Sequence, residues 1–253
     1  MKTNSLLSAS LISFTLAAGA CAQQSELSNE DYDDVAMGVG TLVATPGGGG
    51  EAGAMSDATT VASEGQAGLI DGSGAIEIVV RAGLSYEYRA DCFDAAGAEQ
   101  DACGEATDRA DVSVSWTGEL DTARYDATVM RVGEWSISGL QSATATLTGS
   151  GSFEVDSEFQ AMYRDVTRSL HLSYDAEYDS VQIDTETRQA VGGTIHYAVR
   201  GERFVQRGSA EKDVELSVDA EVTFHADGTA TLVLDGSRSY SIDIATGTVV
   251  SAS

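Results

Sequence analysis

From Ala75 onward the chain alternates apolar and polar residues with a period of two. Val112, Val114 and Trp116 alternate with polar neighbours. Leu170, Leu172, Tyr174, Ala176 and Tyr178 alternate with His171, Ser173, Asp175, Glu177 and Asp179. Val214, Leu216, Val218, Ala220, Val222 and Phe224 alternate with Glu215, Ser217, Asp219, Glu221, Thr223 and His225. An extended backbone turns successive side chains to opposite faces, so this period belongs to strands with one buried and one wet face. Gly192-Gly193, Asp227-Gly228, Asp235-Gly236 and Thr246-Gly247 supply tight-turn chemistry between them. About eleven strands joined by short turns predict a mainly β fold, one large antiparallel meander sheet that is curved or barrel-like. The segments near 167–184 and 210–226 are long enough to reach roughly 50 Å each. Gly149 and Gly151 mark a bulge or bend. The only proline, Pro46, precedes the strands, as an uninterrupted ladder requires. Ile183-Asp184-Thr185-Glu186-Thr187 is echoed by Ile242-Asp243-Ile244-Ala245-Thr246, and more faintly by Leu120-Asp121-Thr122. These echoes read as a shared turn, not as a duplicated domain.

Before the strands the period is helical. Ser28 and Asp31 have the spacing of a capping box, and acidic residues crowd the first turn, where the helix dipole favours them. Tyr32, Val35, Ala36, Val39, Leu42 and Val43 form one apolar stripe, which predicts a helix near 29–44 docked on the β domain. Pro46 and four glycines end it. The stretch to Gly74 reads as a Gly-rich linker with a short helix near 55–62. The glycines are not a phosphate loop, since no Gly-Lys-Ser/Thr follows.

The first twenty residues have a different character. Lys2 precedes an uncharged apolar stretch, Leu6 to Ala18, shorter than the roughly 20 residues a membrane helix needs. It reads as a signal peptide over residues 1–20. Ala17-Ala18-Gly19-Ala20-Cys21 resembles the lipobox of bacterial lipoprotein precursors, with Ala18 in place of the usual Leu. The resemblance covers only the first 21 residues. It implies that Cys21 becomes the lipid-modified first residue of the mature chain, and that residues 21–74 tether a β domain of 75–253. Ala22, not Asp, follows the cysteine, which in a Gram-negative host permits the outer membrane. The competing reading is plain cleavage near Ala20 and release as a secreted or periplasmic protein.

Forty acidic residues against 14 basic ones set a net charge of -26. That excludes a nucleic-acid footprint and any unaided attraction to an anionic membrane, so the membrane partner is reached through the lipid. Cys92 and Cys103 are the remaining cysteines and enclose a short polar loop. A disulfide is the expected state after export, because two cysteines lack the further ligands a zinc site needs. Asp175, Glu177, Asp179, Glu215, Asp219 and Glu221 crowd the wet face and are minority candidates for Ca²⁺. His171, His196 and His225 fall in the same polar phase. Trp116 and Trp135 fall in the apolar phase and read as core. No nucleophile elbow or metal motif is found, and no cofactor is implied. A transmembrane barrel is disfavoured by the acidic wet face and the sparse aromatic girdles.

The expectation is a non-catalytic cell-envelope lipoprotein whose β domain is structural or binding. The alternative is a carrier of lipid or another hydrophobic molecule, since a long curved sheet with a helix over its concave face looks like the general architecture of periplasmic lipoprotein carriers. The third reading is a hydrolase acting through paired carboxylates.

Overall fold

The computed structural model describes residues 27–44, 50–64, 77–81, 84–122, 125–161, 166–207 and 210–252. Two helices, α1 (Asn29–Val43) and α2 (Glu51–Glu64), precede twelve strands. These are β1 (Glu77–Arg81), β2 (Leu84–Phe93), β3 (Glu99–Gln100), β4 (Arg109–Thr122), β5 (Tyr125–Ser138) and β6 (Thr144–Ala161). They continue as β7 (Val166–Asp184), β8 (Ala190–Arg207), β9 (Ala210–Phe224), β10 (Thr229–Leu234), β11 (Arg238–Asp243) and β12 (Val249–Ser251). Eleven of them lie side by side in chain order, all antiparallel, and β3 adds to β2 off that path. The meander is therefore as expected. The sheet is open, not a barrel: β1 and β12 are its two edges.

The period-two pattern becomes inner and outer faces, and register lines up the inner residues in rows across the strands. One row runs Val112, Trp135, Gly149, Tyr178, Ile195, Val222, Leu232, Tyr240. The next runs Tyr88, Val114, Gly133, Gly151, Ala176, Tyr197, Ala220, Leu234. A third runs Trp116, Arg131, Phe153, Tyr174, Val199, Val218, and a fourth Gly118, Val129, Val155, Leu172, Gly201, Leu216. The first two rows are buried almost throughout. In the fourth row the described side chains larger than glycine are only half-buried, so the shelter of the helices runs out between the third row and the fourth.

Curvature comes from irregularities in the central strands. The register of β6 against β7 shifts between Leu147 and Gly149, and that of β7 against β8 shifts around Asp179, Gln182 and Ile183. Bulges of this kind raise local twist and bend the sheet. Gly149 is the expected bend residue: its φ is +145°, and a Cβ there would stand 2.1 Å from the Glu134 carbonyl oxygen.

Both helices lie on the inner face, α1 against β10 to β12 and α2 against β2 and β4. In α1, Ser28 Oγ accepts from Asp31 N–H and the Asp31 carboxylate accepts from Ser28 N–H, completing the capping box. Val35, Ala36, Val39, Leu42 and Val43 are buried, so the apolar stripe docks on the sheet as its spacing implies. Tyr240 donates to Asp33, and Tyr32 donates to Asp235 while lying under Arg238. Gly40 costs helix propensity but permits close approach, since a Cβ there would fall 2.2 Å from Val249 Cγ2.

The short helix expected near 55–62 is present but longer, Glu51–Glu64, so the linker reading of the rest of that span is corrected. This stretch is a helix buried from Glu51 to Met55 and from Ala58 to Ala62. Its small residues let the backbone settle close to the sheet, which composition alone makes indistinguishable from a flexible Gly/Ala/Ser/Thr segment. Arg188 donates to Thr60 and Glu64, and Tyr88 to Asp57, tying α2 down along its length. Residues 45–49 and 65–74 of the same expected linker lie outside the described residues.

Candidate functional site: the buried Arg131 cluster

The inner phase of β5 reads Val129, Arg131, Gly133, Trp135, Ile137. A charged residue in that series must bury its charge or break the face. Arg131 buries it. The guanidinium has no side-chain exposure, and the carboxylate it meets, Glu51 at the start of α2, has 3%. Arg131 Nη2 donates to Glu51 Oε2 and, at 2.9 Å, to the Tyr178 hydroxyl oxygen. The Tyr178 hydroxyl donates in turn to Glu51 Oε2 at 2.6 Å. Three groups from α2, β5 and β7 thus close one ring of hydrogen bonds. Gly133 leaves space beside the cluster for the Trp135 ring, since a Cβ there would come 3.2 Å from Trp135 Cζ2.

Aromatic rings enclose the ring of hydrogen bonds. Trp135 packs edge-on to Tyr178 at 5.5 Å, and its ring lies 5.4 Å from the guanidinium carbon. Trp116, Phe153, Tyr174 and Tyr197 follow one another at centroid distances of 5.5, 5.3 and 6.3 Å. Both tryptophans are core, as expected. Low polarizability around the pair strengthens it and also makes any uncompensated charge costly. Burial is the largest single influence and disfavours the charged guanidinium, but Glu51, Tyr178 and Tyr197 together outweigh it and hold Arg131 above its ordinary pKa. Burial and then Glu51 push the Tyr178 phenol well above its ordinary value, so it stays a donor. Among the described residues, two guanidinium nitrogens, Arg131 Nε and Nη1, have no hydrogen-bond partner, nor does the buried Tyr197 hydroxyl. Buried donors of this kind are uncommon in folded proteins.

The residues singled out in the sequence lie elsewhere. Cys21 is outside the described residues. Cys92 and Cys103 form the expected disulfide, with Cα atoms 5.3 Å apart, tying the end of β2 to the connection that leads into β4. Asp175, Glu177, Asp219 and Glu221 line one open outer-face groove of about 720 Å³, with His196 and Ala198 between them. β8 separates the two carboxylate pairs, so their backbones stand two strand spacings, roughly 10 Å, apart. Asp175 bonds Arg200, and Glu221 stands 3.6 Å from His196. Glu215 lines a second groove with His171 and Glu202, and Asp179 lines neither. Among the described residues, no group of three or more His, Cys, Asp or Glu is placed to hold a metal ion. The Ca²⁺ candidates therefore share a face without forming a ligand set.

The echoed turns have one chemistry. Asp184 accepts from the amides of Glu186 and Thr187 and from the Thr187 hydroxyl. Asp243 accepts from the Thr246 amide and hydroxyl. The third echo, at Leu120-Asp121-Thr122, has no described side chains. Glu51, Arg131, Tyr178 and Tyr197 were not singled out in the sequence. The signal was present at Arg131, which breaks the apolar phase of its strand; Glu51 carried none. Comparison of the chain with protein-family models, curated protein sequences and solved structures finds no match.

Proposed function

We propose that this chain is an exported bacterial envelope protein, anchored through lipid on Cys21, whose β domain binds an apolar molecule on its inner face. The observation that carries the binding role is the fourth inner row. Val129, Val155, Leu172 and Leu216 continue the apolar face past the helices and are half-buried, where the preceding row has Trp116, Tyr174, Val199 and Val218 buried. A half-buried apolar row at the edge of the helices' shelter is what a hydrophobic ligand requires. The anchor rests on the match of residues 17–21 to a lipobox. With the acids facing outward, the lipid, not the charge, holds the chain at a membrane.

Two measurements test this reading. Cys21→Ala is expected to abolish fatty-acid labelling and move the protein from the membrane to the soluble fraction; unchanged fractionation refutes the anchor. Leu172→Gln with Leu216→Gln is expected to weaken binding of a neutral fluorescent probe, N-phenyl-1-naphthylamine, by tenfold or more; undiminished binding refutes the face. The second reading, a carrier, is favoured by the same row. It adds one requirement, transfer of the bound probe from donor to acceptor vesicles faster than spontaneous exchange.

A further inference from the structure

β1 ends the sheet, and among the described residues it pairs with β2 alone. Its five residues keep an unbroken antiparallel register, from Glu77 opposite Tyr88 to Arg81 opposite Leu84. A regular strand at a sheet edge offers a row of backbone N–H and C=O groups to another strand. Such edges are commonly blocked by lysine, proline, a bulge or a very short strand. β1 reads Glu-Ile-Val-Val-Arg: three β-branched residues in succession, no lysine or proline, and charges at the two ends. The opposite edge is blunted, since β12 has three residues. The outer rows that reach β1 are nearly free of acid. One runs Ile78, Glu87, Ser115, Val132 and the next Val80, Ser85, Thr117, Met130, so they hold one acid between them. Val132 and Met130 are 47% and 46% exposed, large apolar residues on a face that is elsewhere polar. Across β7, β8 and β9 the rows Glu177, His196, Glu221 and Asp175, Ala198, Asp219 hold four acids. A chain of net charge -26 repels its own copy, and the repulsion is smaller where the acids thin out.

We infer that β1 is a self-association edge: it pairs antiparallel with β1 of a second copy about a two-fold axis through Val79, making one sheet of the two chains. The placing of the charges selects this occupant. Antiparallel pairing about Val79 sets Ile78 opposite Val80 and Glu77 opposite Arg81, and the two-fold axis repeats each pair. Opposite charges directly across a ladder stabilise it, and like charges destabilise it. Centring the pairing on Ile78 sets Glu77 opposite Val79, and centring it on Val80 sets Arg81 opposite Val79, so neither register matches the charges. A parallel pairing in register sets Glu77 against Glu77. Opposite residues share a face, so the inner faces of both copies, with their helices, lie on one side of the joint sheet. On the other side the row from Val132 to Ile78 continues into the row from Val80 to Met130 of the second copy. Five residues of new ladder make a small contact, so the dimer is a weak one whose population rises with concentration. The inference rests on neither the lipid anchor nor the apolar inner row.

The test uses the full mature chain carrying Cys21→Ser, which leaves Cys92 and Cys103 bridged to each other. Sedimentation velocity from micromolar to millimolar chain is expected to show monomer giving way to dimer. Val79→Cys is expected to form a disulfide-linked dimer on mild oxidation, because opposite Cα atoms stand about 4.5–5.5 Å apart, within disulfide reach. Ile78→Cys and Val80→Cys are each expected to stay unlinked alone and to link when mixed, since diagonal positions lie about 7–8 Å apart. Glu77→Arg and Arg81→Glu are each expected to weaken self-association about tenfold. An equimolar mixture of the two is expected to restore it, because every charge then faces its opposite, and restoration shows that both variants fold. A chain that stays monomeric throughout overturns the inference. A dimer unmoved by Glu77→Arg lies at another surface and overturns it as well. Self-linking of Ile78→Cys without linking of Val79→Cys overturns the pairing about Val79.

Discussion

Glu51 and Arg131 are 80 residues apart in the chain and meet side chain to side chain in the core, neither more than 3% exposed. The contact couples the first turn of α2 to the middle of β5. Removing one partner strands the other charge in a dry environment, at a cost of about 3–5 kcal/mol. Arg131→Met is therefore expected to lower stability by about that much, and Glu51→Gln/Arg131→Met to recover most of it. Urea unfolding of the three proteins checks this. A single Arg131→Met change that leaves the midpoint within error would show that the pair does not hold α2.

The Cys92–Cys103 bridge joins residues 11 apart in the chain, from the end of β2 to the connection into β4. In the chain-entropy account a loop of that size constrains the unfolded chain by about 3 kcal/mol. Cys92→Ser/Cys103→Ser is expected to lower the unfolding midpoint accordingly, and added reductant to bring the wild-type protein down to the variant's value. Insensitivity of the wild-type midpoint to reductant under unfolding conditions would contradict a stabilising bridge.

Two glycines with positive φ separate backbone strain from collision. Gly97, with φ +81°, has open space where a Cβ would go; Gly149, with φ +145°, would drive one to 2.1 Å from the Glu134 carbonyl oxygen and 2.9 Å from Trp135 Cα. Gly97→Ala is expected to cost about 1 kcal/mol, the usual penalty of a left-handed alanine. Gly149→Ala must also push β5 and β6 apart and is expected to cost well above 2 kcal/mol. Thermal melts of both variants decide it; equal losses would mean that the bulge does not need a glycine.

His171 on the outer face of β7 is bonded to Asp156 at 2.6 Å, which raises its pKa above the ordinary histidine value; partial burial works against this, and the charges of Asp156, Glu154 and Glu202 add to it. A raised folded pKa means that the protonated ring stabilises the fold. This contribution is complete below the ordinary histidine pKa and is lost as pH rises through the raised value. The side chains are 44% and 66% exposed, so solvent screening keeps the gain to a few tenths of a kcal/mol. His171→Gln is expected to be less stable than wild type at about pH 5 and equal to it above about pH 9. Paired denaturant curves at the two pH values check it, and a difference that grows with pH would reverse the assignment.

The limits of reading this chain as a string are visible in particular residues. The capping box at Ser28 and Asp31 was legible because both partners lie within one turn. The strands of the meander were legible because Leu172, Tyr174, Ala176 and Tyr178 state their face every second residue. The bulge at Gly149 was legible because glycine is the residue such a backbone needs. α2 was legible only in part: a short helix near 55–62 was expected, but its full length and its burial were not, because Ala52, Ala54, Ala58 and Ala62 carry no face of their own until a sheet lies beneath them. Glu51 was not legible at all, since one acid among forty has no local feature that marks it for the interior.

The sequence by itself determined the parts whose physics is local: strand faces, turn residues, the helix cap, the disulfide and the outward placing of the acids on the strands' polar phase. Each depends on neighbours within about a dozen residues along the chain. Tertiary structure alone decided that the sheet stays open, that α2 belongs to the core, and that Arg131 finds Glu51, Tyr178 and Tyr197 around it. These depend on register summed over many strands and on the removal of water. A charge on the apolar phase of β5 is only an irregularity in the chain; once the helices exclude solvent from it, it requires a counter-charge and becomes the chemical centre of the molecule.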